Sequence, residues 1–197
     1  MKRAISVLIL CLTAVPAFSQ MAPRDTAMTY VGGKAVAIEY GRPSLKGRSV
    51  ADLTSQLGAD RIWRAGSEQV TTFKTEGALK IGDHKVPAGE YSVYLHCPVD
   101  GPYSLVLNKV LGQPLGEIWE AAPANLAKEP WPHTDYTAQI GDSEVARIPL
   151  KKTSSSEALD LLTFSFQQEG KMAVLNVAWG NDLWTADVMA GSMEGSH

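Results

Sequence analysis

RIWRAGSEQVTTFKTEGALKIGDHKVPAGEYSVYLH, residues 61–96, is the stretch that decides the fold. It begins as a polar loop with two arginines and continues as short segments rich in β-branched and aromatic residues, which favour strands. Turn-forming residues separate these segments at Gly77, at Gly82-Asp83 and at Pro87-Ala88-Gly89. In residues 90–96 the large apolar side chains alternate with Ser, Tyr and His, which is the period of a strand.

The same pattern of short strands and turns extends to both sides of this stretch. Gly32-Gly33 fits a two-residue hairpin turn, and residues 153–156 and Gly180-Asn181 indicate a further loop and a tight turn. These signals predict an all-β fold, an antiparallel β-sandwich of the jelly-roll type, in a single domain over residues 20–189. The predicted strands are 25–31, 34–40, 69–75, 79–81, 84–86, 90–96, 103–108, 136–140, 144–151, 159–167, 172–179 and 184–188.

Two segments interrupt the strand pattern. Residues 49–57 predict one short helix, because Val50, Leu53 and Leu57 fall on one helical face. Residues 112–133 contain four prolines and two tryptophans, which predicts a long loop with at most a short helical piece at 122–128. Connections of this length without regular structure are usually functional or mobile.

The first residues predict export from the cytoplasm. Lys2 and Arg3 precede an apolar run over residues 4–15, and Ala17-Phe18-Ser19 places small residues where a signal peptidase cuts. We therefore expect a signal peptide at 1–19 and a periplasmic or extracellular protein, with a flexible tail at 190–197. The apolar run is too short to cross a bilayer, so we expect no transmembrane segment in the processed chain.

Charge and cysteine content limit the classes of partner. Removing residues 1–19 leaves 16 basic against 21 acidic side chains, a formal charge of −5, and no basic stripe of the kind that binds nucleic acid. Only Cys97 remains after processing, so no intrachain disulfide can form and the fold must depend on packing. At the end of a predicted strand, Cys97 is expected to be buried and unreactive.

The sequence lacks the local motifs of the common catalytic machineries. It contains no G-x-S-x-G, S-x-x-K, H-E-x-x-H, P-loop, G-x-G-x-x-G or C-x-x-C pattern. Sites assembled from distant residues remain compatible with the sequence, because catalytic groups can meet in space without being neighbours in the chain. No cofactor is predicted.

A cluster of cationic side chains gives the first candidate site. Arg42, Lys46 and Arg48 lie in one predicted loop, and Arg61 and Arg64 lie in another that also contains Glu68. Guanidinium groups bind carboxylate, phosphate or sulfate groups in a bidentate way, so two such loops at one end of a sandwich would receive an anion. The alternative is structural, with the arginines paired to Glu39 or Glu68 to fix the loops.

Tryptophans and histidines give further candidates. Trp119 and Trp131 lie in the long loop, where they could stack on a sugar ring or instead attach the loop to the core; Trp63, Trp179 and Trp184 are expected in the core. The histidines at 84, 96 and 133 have acidic residues nearby at 83, 100 and 135, but their spacing does not demand a metal, so none is predicted.

Six strings in the chain resemble the DUF2911 family, which comprises secreted bacterial proteins of unknown function. The strings are EYGRPSLKGR (39–48), IWRAGSEQVTTF (62–73), VPAGEYSVY (86–94), SLVLNKVLGQ (104–113), ARIPLKK (146–152) and LNVAWGN (175–181). The resemblance implies an exported all-β domain with no established substrate or cofactor, and a loop at 112–133 longer than the family's typical one. The positions that it brings forward are Arg42, Arg48, Trp63, Arg64, Glu68, Thr71, Asn108 and Lys109.

Three functions remain open at this point. The leading hypothesis is a non-enzymatic exported sandwich that binds a small anionic or carbohydrate ligand, or an envelope partner, through a mouth formed by residues 41–48, 61–68 and 112–133. The second is a hydrolase with a dispersed site that uses Glu68 and an aspartate, or a histidine-bound metal. The third is a structural or assembly component of the cell envelope. The ligand-site residues predicted for the leading hypothesis are Arg42, Arg48, Trp63, Arg64, Glu68, Asn108, Lys109, Trp119 and Trp131.

Overall fold

The predicted all-β sandwich is confirmed by the computed structural model, which describes residues 21–191. The predicted signal peptide and residues 192–197 of the predicted tail lie outside the described residues. The thirteen strands of the described part are β1 (Arg24–Val31), β2 (Lys34–Gly41), β3 (Ile62–Trp63), β4 (Thr72–Thr75), β5 (Leu79–Ile81), β6 (His84–Val86), β7 (Gly89–His96), β8 (Ser104–Asn108), β9 (Gln113–Pro114), β10 (Pro130–Trp131), β11 (Glu144–Pro149), β12 (Lys151–Glu169) and β13 (Met172–Ala190). The helices are α1 (Val50–Thr54), α2 (Leu115–Ile118) and α3 (Tyr136–Ile140), with a 3₁₀ turn at Gly141–Ser143.

Two antiparallel sheets form the layers of the sandwich. The first has the strand order β1-β2-β4-β7-β8-β11, and β3 pairs with β7 beyond the end of β4. The second has the order β12-β13-β5-β6, and β9 and β10 form a separate two-stranded ribbon. Consecutive hairpins account for much of this order, as in β1–β2 around Gly32-Gly33, where both glycines have a positive φ.

The main core lies between the two sheets. In β7 the inward-facing residues Tyr91, Val93 and Leu95 belong to it, as the period-2 pattern predicts. The second sheet contributes Leu175, Val177 and other residues of β13, so large apolar side chains from both sheets meet in one cluster. This packing is the main source of stability, since no disulfide is present among the described residues.

A smaller core lies on the outer face of the first sheet. Tyr94 and Val106 face outward there and pack against Tyr136 and Ile140 of α3. The prediction of a strand at 136–140 was therefore wrong. Asp135 caps the helix by accepting from the backbone N–H of Ala138, and the four-residue spacing of Tyr136 and Ile140 puts both on the buried face.

β12 and β13 form one long hairpin, which corrects two further predictions. Residues 153–156 belong to β12 and are not a loop, and Gly180-Asn181 lies within β13 and is not a turn. The pairing register shifts between Ser154 and Leu159, opposite Gly180, whose φ of +60° suits a bulge. The turn signals at these positions thus mark an irregularity inside a continuous strand pair.

The connecting segments also differ in detail from the prediction. The predicted helix at 49–57 forms as the shorter α1, where Ser49 and Asp52 make a reciprocal capping box. Between residues 112 and 133 the regular elements are β9, α2 and β10, and residues 122–128 form hydrogen-bonded turns. Within residues 21–191 no helix is both long enough and apolar enough to span a membrane.

Candidate functional site

The segment from β3 to β4 is the most strained part of the described backbone. β3 and β4 pair with the same edge of β7, opposite β8, so the residues between them leave the sheet and return to it. Of the four described non-glycine residues with a positive φ, Ala65 (51°) and Glu68 (62°) lie here and Arg61 (56°) lies immediately before β3. Such conformations cost roughly 1–3 kcal/mol each and are concentrated at functional sites in proteins.

Two glycines let this segment contact the loop that follows β2. A Cβ at Gly41 would overlap the backbone oxygen of Ser67, and a Cβ at Gly66 would lie 2.5 Å from the Oγ1 of Thr71. The Thr71 hydroxyl also donates to the carbonyl of Ala65 at 3.1 Å, inside the protein. The two loops predicted to meet, 41–48 and 61–68, are therefore in direct contact.

A cavity of about 440 Å³, here called the Tyr94 pocket, lies beside the segment 58–64. Trp131, Pro132 and His133 form its opposite side, together with Leu115 and Ile118 of α2. The complete lining is Gly58, Asp60, Ile62, Trp63, Arg64, Tyr94, Leu115, Ile118, Trp131, Pro132, His133, Thr134 and Tyr136. The pocket thus lies on the outer side of the first sheet, between β7 and the long segment 112–136.

Buried polar atoms without partners are concentrated at the Tyr94 pocket. Tyr94 is 1% exposed, yet its hydroxyl makes no hydrogen bond to another residue in 21–191, and neither ring nitrogen of His133 does. Burial raises the pKa of Tyr94, while the nearby backbone of His133 and the hydroxyl of Ser92 oppose this without meeting hydrogen-bond geometry. Because an unpaired buried polar group costs about 1–3 kcal/mol, two such side chains at one cavity need an explanation.

Arg64 supplies the cationic group of the Tyr94 pocket. No carboxylate of the described chain lies within 4.0 Å of its guanidinium, and its side chain makes no hydrogen bond to other described residues. Although Arg64 is exposed at the rim, partial desolvation of its guanidinium lowers its pKa, and Glu68 acts in the opposite direction. A guanidinium without a described partner is able to bind a carboxylate or phosphate group in a bidentate way.

A hydrogen-bonded network supports the floor of the pocket. The Tyr136 hydroxyl donates to Glu144 Oε2 at 3.0 Å and accepts from Asn108 Nδ2 at 3.2 Å, and Arg147 donates to Glu144 at 2.7 Å. Burial acts to raise the pKa of Glu144, but the hydrogen bonds from Arg147 and Tyr136 outweigh it, and the pKa is lowered. The network fixes α3, and with it the ring of Tyr136 against that of Tyr94 at 4.7 Å between centroids.

A second, smaller cavity lies on the other side of Trp63 and Arg64, which line both. It measures about 190 Å³, and we call it the Trp179 pocket. Trp63 stacks on Trp179 with ring centroids 5.0 Å apart and planes 11° from parallel, so the indole forms a rigid wall. The lining is Pro43, Ser44, Arg48, Leu53, Thr54, Leu57, Trp63, Arg64, Gly66, Ser67 and Trp179.

The predicted mouth is therefore divided. The loop 61–68 lines both cavities, but the loop 41–48 lines only the Trp179 pocket and the segment 112–133 lines only the Tyr94 pocket. Of the predicted residues, Trp63, Arg64 and Trp131 line the Tyr94 pocket, and Arg48 lines the Trp179 pocket while its Nε donates to the carbonyl of Leu45.

Arg42 lines neither cavity. Its guanidinium donates to the carbonyl of Leu162 at 3.1 Å and to Thr163 Oγ1 at 2.9 Å, and lies 3.4 Å from a carboxylate oxygen of Asp25. These contacts join the end of β2 to β12. Arg42 therefore has a structural use, as the alternative expected, but its partners are not the predicted Glu39 or Glu68.

The remaining predicted residues lie outside both cavities. Glu68 accepts from the backbone N–H of Ala22 through one oxygen, and its other oxygen is buried without a partner. Asn108 is buried and bonded to Ile140 and Tyr136, so it supports the pocket from behind. Lys109 is exposed, and Trp119 at 51% exposure covers no described cavity.

The cysteine and metal predictions concern groups elsewhere in the fold. Cys97 is buried in the main core, and its burial raises the pKa of the thiol to about 12, which makes the thiol unreactive at neutral pH. Within residues 21–191, no group of three or more His, Cys, Asp or Glu side chains is placed to hold a metal ion.

The sequence did not single out Tyr94, Tyr136 or Asp60 as site residues, and it considered His133 only as a metal ligand. One feature of the sequence did indicate Tyr94. Ser92, Tyr94 and His96 alternate on the face of β7 opposite the main core, and a large aromatic residue on such a face indicates a second covering layer.

Comparison with known proteins places the chain by family. A search of curated proteins and a search of solved structures each returned no match. The model of a family described as "Protein of unknown function (DUF2911)" matches residues 22–188, which include both sheets except the last two residues of β13, and every described residue that lines the two pockets. The chain belongs to the DUF2911 family.

Proposed function

We propose that this chain is an exported binding protein that holds a small anionic ligand in the Tyr94 pocket and performs no chemistry on it. The observation that carries this proposal is that Tyr94, His133 and Arg64 line one cavity, while the Tyr94 hydroxyl, the His133 ring nitrogens and the Arg64 guanidinium have no hydrogen-bond partner among the described residues. A ligand that supplies acceptors for Tyr94 and an anion for Arg64 would offset the cost of leaving these groups unpaired.

The lining also indicates the shape of the ligand. Trp131 and Trp63 present indole surface on two sides, and Leu115 and Ile118 add apolar area. Pockets of a few hundred Å³ with apolar walls and a few polar groups are typical of small-molecule sites. An acidic sugar, whose ring would lie on an indole face and whose carboxylate would meet Arg64, fits this combination.

Binding is favoured over the hydrolase alternative by the composition of the pocket. Asp60 is the one carboxylate among the described residues that line the Tyr94 pocket, whereas the usual glycosidase mechanisms need a pair. Asp60 is also engaged, since its carboxylate accepts from the backbone N–H of Ile62 at 3.2 Å and from Thr137 at 3.4 Å. It therefore serves to hold the pocket wall.

Thermal unfolding of the purified protein with a panel of acidic sugars, phosphates and carboxylates tests the proposal. At about 100 times its Kd, a bound ligand stabilises the fold by about 2.7 kcal/mol, which raises Tm by roughly 5–10 °C for a chain of this size. Determining the first residue of the purified protein tests the predicted export, because removal of residues 1–19 leaves Gln20 at the N-terminus.

Three variants locate the site. Arg64→Gln and Tyr94→Phe should each remove most of the ligand-induced rise in Tm, while Lys109→Gln, an exposed cation outside the pocket, should keep it. No rise across the panel, or an equal rise in Arg64→Gln, would overturn the proposal.

A further inference from the structure

A third cavity lies at a different place on the sandwich. It measures about 500 Å³ and is bounded by α1, by the loop between β7 and β8, and by the paired ends of β12 and β13. It shares no lining residue with the Tyr94 pocket. We call it the Trp184 pocket, and the residues that matter in it are Arg61, Val99, Tyr103, Lys152 and Trp184.

Trp184 carries an unpaired donor at this cavity. Its side chain is 2% exposed, and its Nε1 has no hydrogen-bond partner in the described chain. The ring is held in place because Tyr103 stacks on it with centroids 5.2 Å apart and planes 8° from parallel. An indole N–H can only donate, so the group that would satisfy it is an acceptor.

The charged side chains at the Trp184 pocket also favour a group that accepts hydrogen bonds or carries negative charge. Arg61 uses its Nε to donate to the carbonyl of Cys97 at 3.0 Å, and no described carboxylate lies within 4.0 Å of its guanidinium. Lys152 Nζ lies 5.5 Å from the centre of the Trp184 ring and 2.8 Å from Asp182. Among the described residues that line the cavity there is no carboxylate, so the lining favours acceptors and anions.

Part of the remaining wall is apolar, beside Thr54 and Ser55. Val99 is 80% exposed, the most exposed large hydrophobic residue of the described chain, and Pro98 and Pro102 flank it in the same loop. The aromatic stack of Tyr103 on Trp184 adds a flat surface. Apolar area beside a set of donors suits a molecule with an anionic head and an apolar body.

We propose that the Trp184 pocket is a second binding site, which takes a small organic anion with a carboxylate or phosphate head. The head lies between Arg61, Lys152 and the Nε1–H of Trp184, and the apolar body lies against Val99 and Tyr103. This site is separate from the Tyr94 pocket, and binding at it is a second function in addition to the one proposed for the Tyr94 pocket.

Titration of the ¹⁵N-labelled protein with benzoate, phenyl phosphate and the neutral benzyl alcohol tests this site. The indole N–H signal of Trp184 is identified by its loss in Trp184→Phe, which keeps an aromatic ring for the stack with Tyr103. Both anions should move that signal and the amide signals of Val99 and Gly101 in a saturable way, and benzyl alcohol should not. The anion with the lower Kd identifies the preferred head group.

The variants separate this site from the Tyr94 pocket. Lys152→Met and Trp184→Phe, followed through the amides of Val99 and Gly101, should each raise the Kd about tenfold, the effect of losing one interaction with a charged group. Arg64→Gln should leave the Kd unchanged. An unmoved Trp184 signal, an equal response to benzyl alcohol, or loss of the response in Arg64→Gln would overturn the proposal.

Discussion

Two buried tyrosines show how differently the main core and the Tyr94 pocket are built. Tyr40 is 0% exposed, and its hydroxyl donates to the carbonyl of Phe164 at 3.2 Å while its ring meets that of Phe164 edge-on. Tyr94 is 1% exposed and makes a similar edge contact with Tyr136, but its hydroxyl has no partner in the described part of the chain. The two rings are buried equally, but only the Tyr40 hydroxyl makes a hydrogen bond to another described residue. Tyr40 therefore contributes to stability, whereas the Tyr94 hydroxyl is available to a ligand.

The backbone shows the same difference. In the β1–β2 hairpin the positive φ angles fall on Gly32 and Gly33, where they cost little. In the segment beside the pocket they fall on Arg61, Ala65 and Glu68, whose Cβ atoms make them unfavourable. Backbone strain is thus absent from the hairpin and present in the segment that carries Arg64. This is expected if that segment belongs to a functional site, where strained residues are concentrated.

The largest expected effect on stability comes from a substitution in the main core. Phe73→Ala removes a fully buried ring between the sheets and should lower the free energy of unfolding by about 3–5 kcal/mol. Trp119→Ala in the long segment removes a larger but half-exposed ring and should change it by about 0.5 kcal/mol or less. Urea unfolding of both variants measures the two values, and similar losses would contradict the division into a core and a lightly attached segment.

A smaller effect, dependent on pH, is expected for the network under the pocket. Glu144→Gln weakens the contacts to Arg147 and Tyr136 and should cost about 1–3 kcal/mol at pH 7. The pKa of Glu144 is lowered from its ordinary value of 4.5 in the folded state, so its ionised form stabilises the fold above that value. This contribution is lost as the pH falls through the lowered pKa.

The stability difference between the wild type and Glu144→Gln should therefore shrink as the pH falls below about 4.5. Unfolding measured from pH 7 to pH 3 checks this, with Glu157→Gln, an exposed residue on β12, as the control. A difference that stays constant over this range would show that the carboxylate charge does not matter there.

The hairpins and the core-facing residues could be predicted from the sequence because local patterns determine them. Alternation in β7 identified Tyr91, Val93 and Leu95, and Gly32-Gly33 identified a turn. The full length of the β12–β13 hairpin was not predicted, because Gly180 signals a turn in isolation, and only the pairing with the opposite strand shows that β13 continues through a bulge there.

The candidate site was harder to predict because distant segments form it. Arg64 and Trp131 were identified by residue type, but Tyr94 becomes a pocket residue only when α3 covers the outer face of the sheet. The segment 136–140 was interpreted as a strand, which left nothing to cover that face. The cap at Asp135, which accepts from the backbone N–H of Ala138, favours the helix there and was not used in the prediction.

The most direct test of the central claim compares Tyr94→Phe with Tyr40→Phe. Both variants remove one hydroxyl from a buried ring. If the Tyr94 hydroxyl is kept for a ligand, Tyr40→Phe should lower the free energy of unfolding by about 1 kcal/mol, while Tyr94→Phe leaves it unchanged or raises it. Equal losses in urea unfolding would show that Tyr94 is part of the structural core and contradict the assignment of its pocket as a binding site.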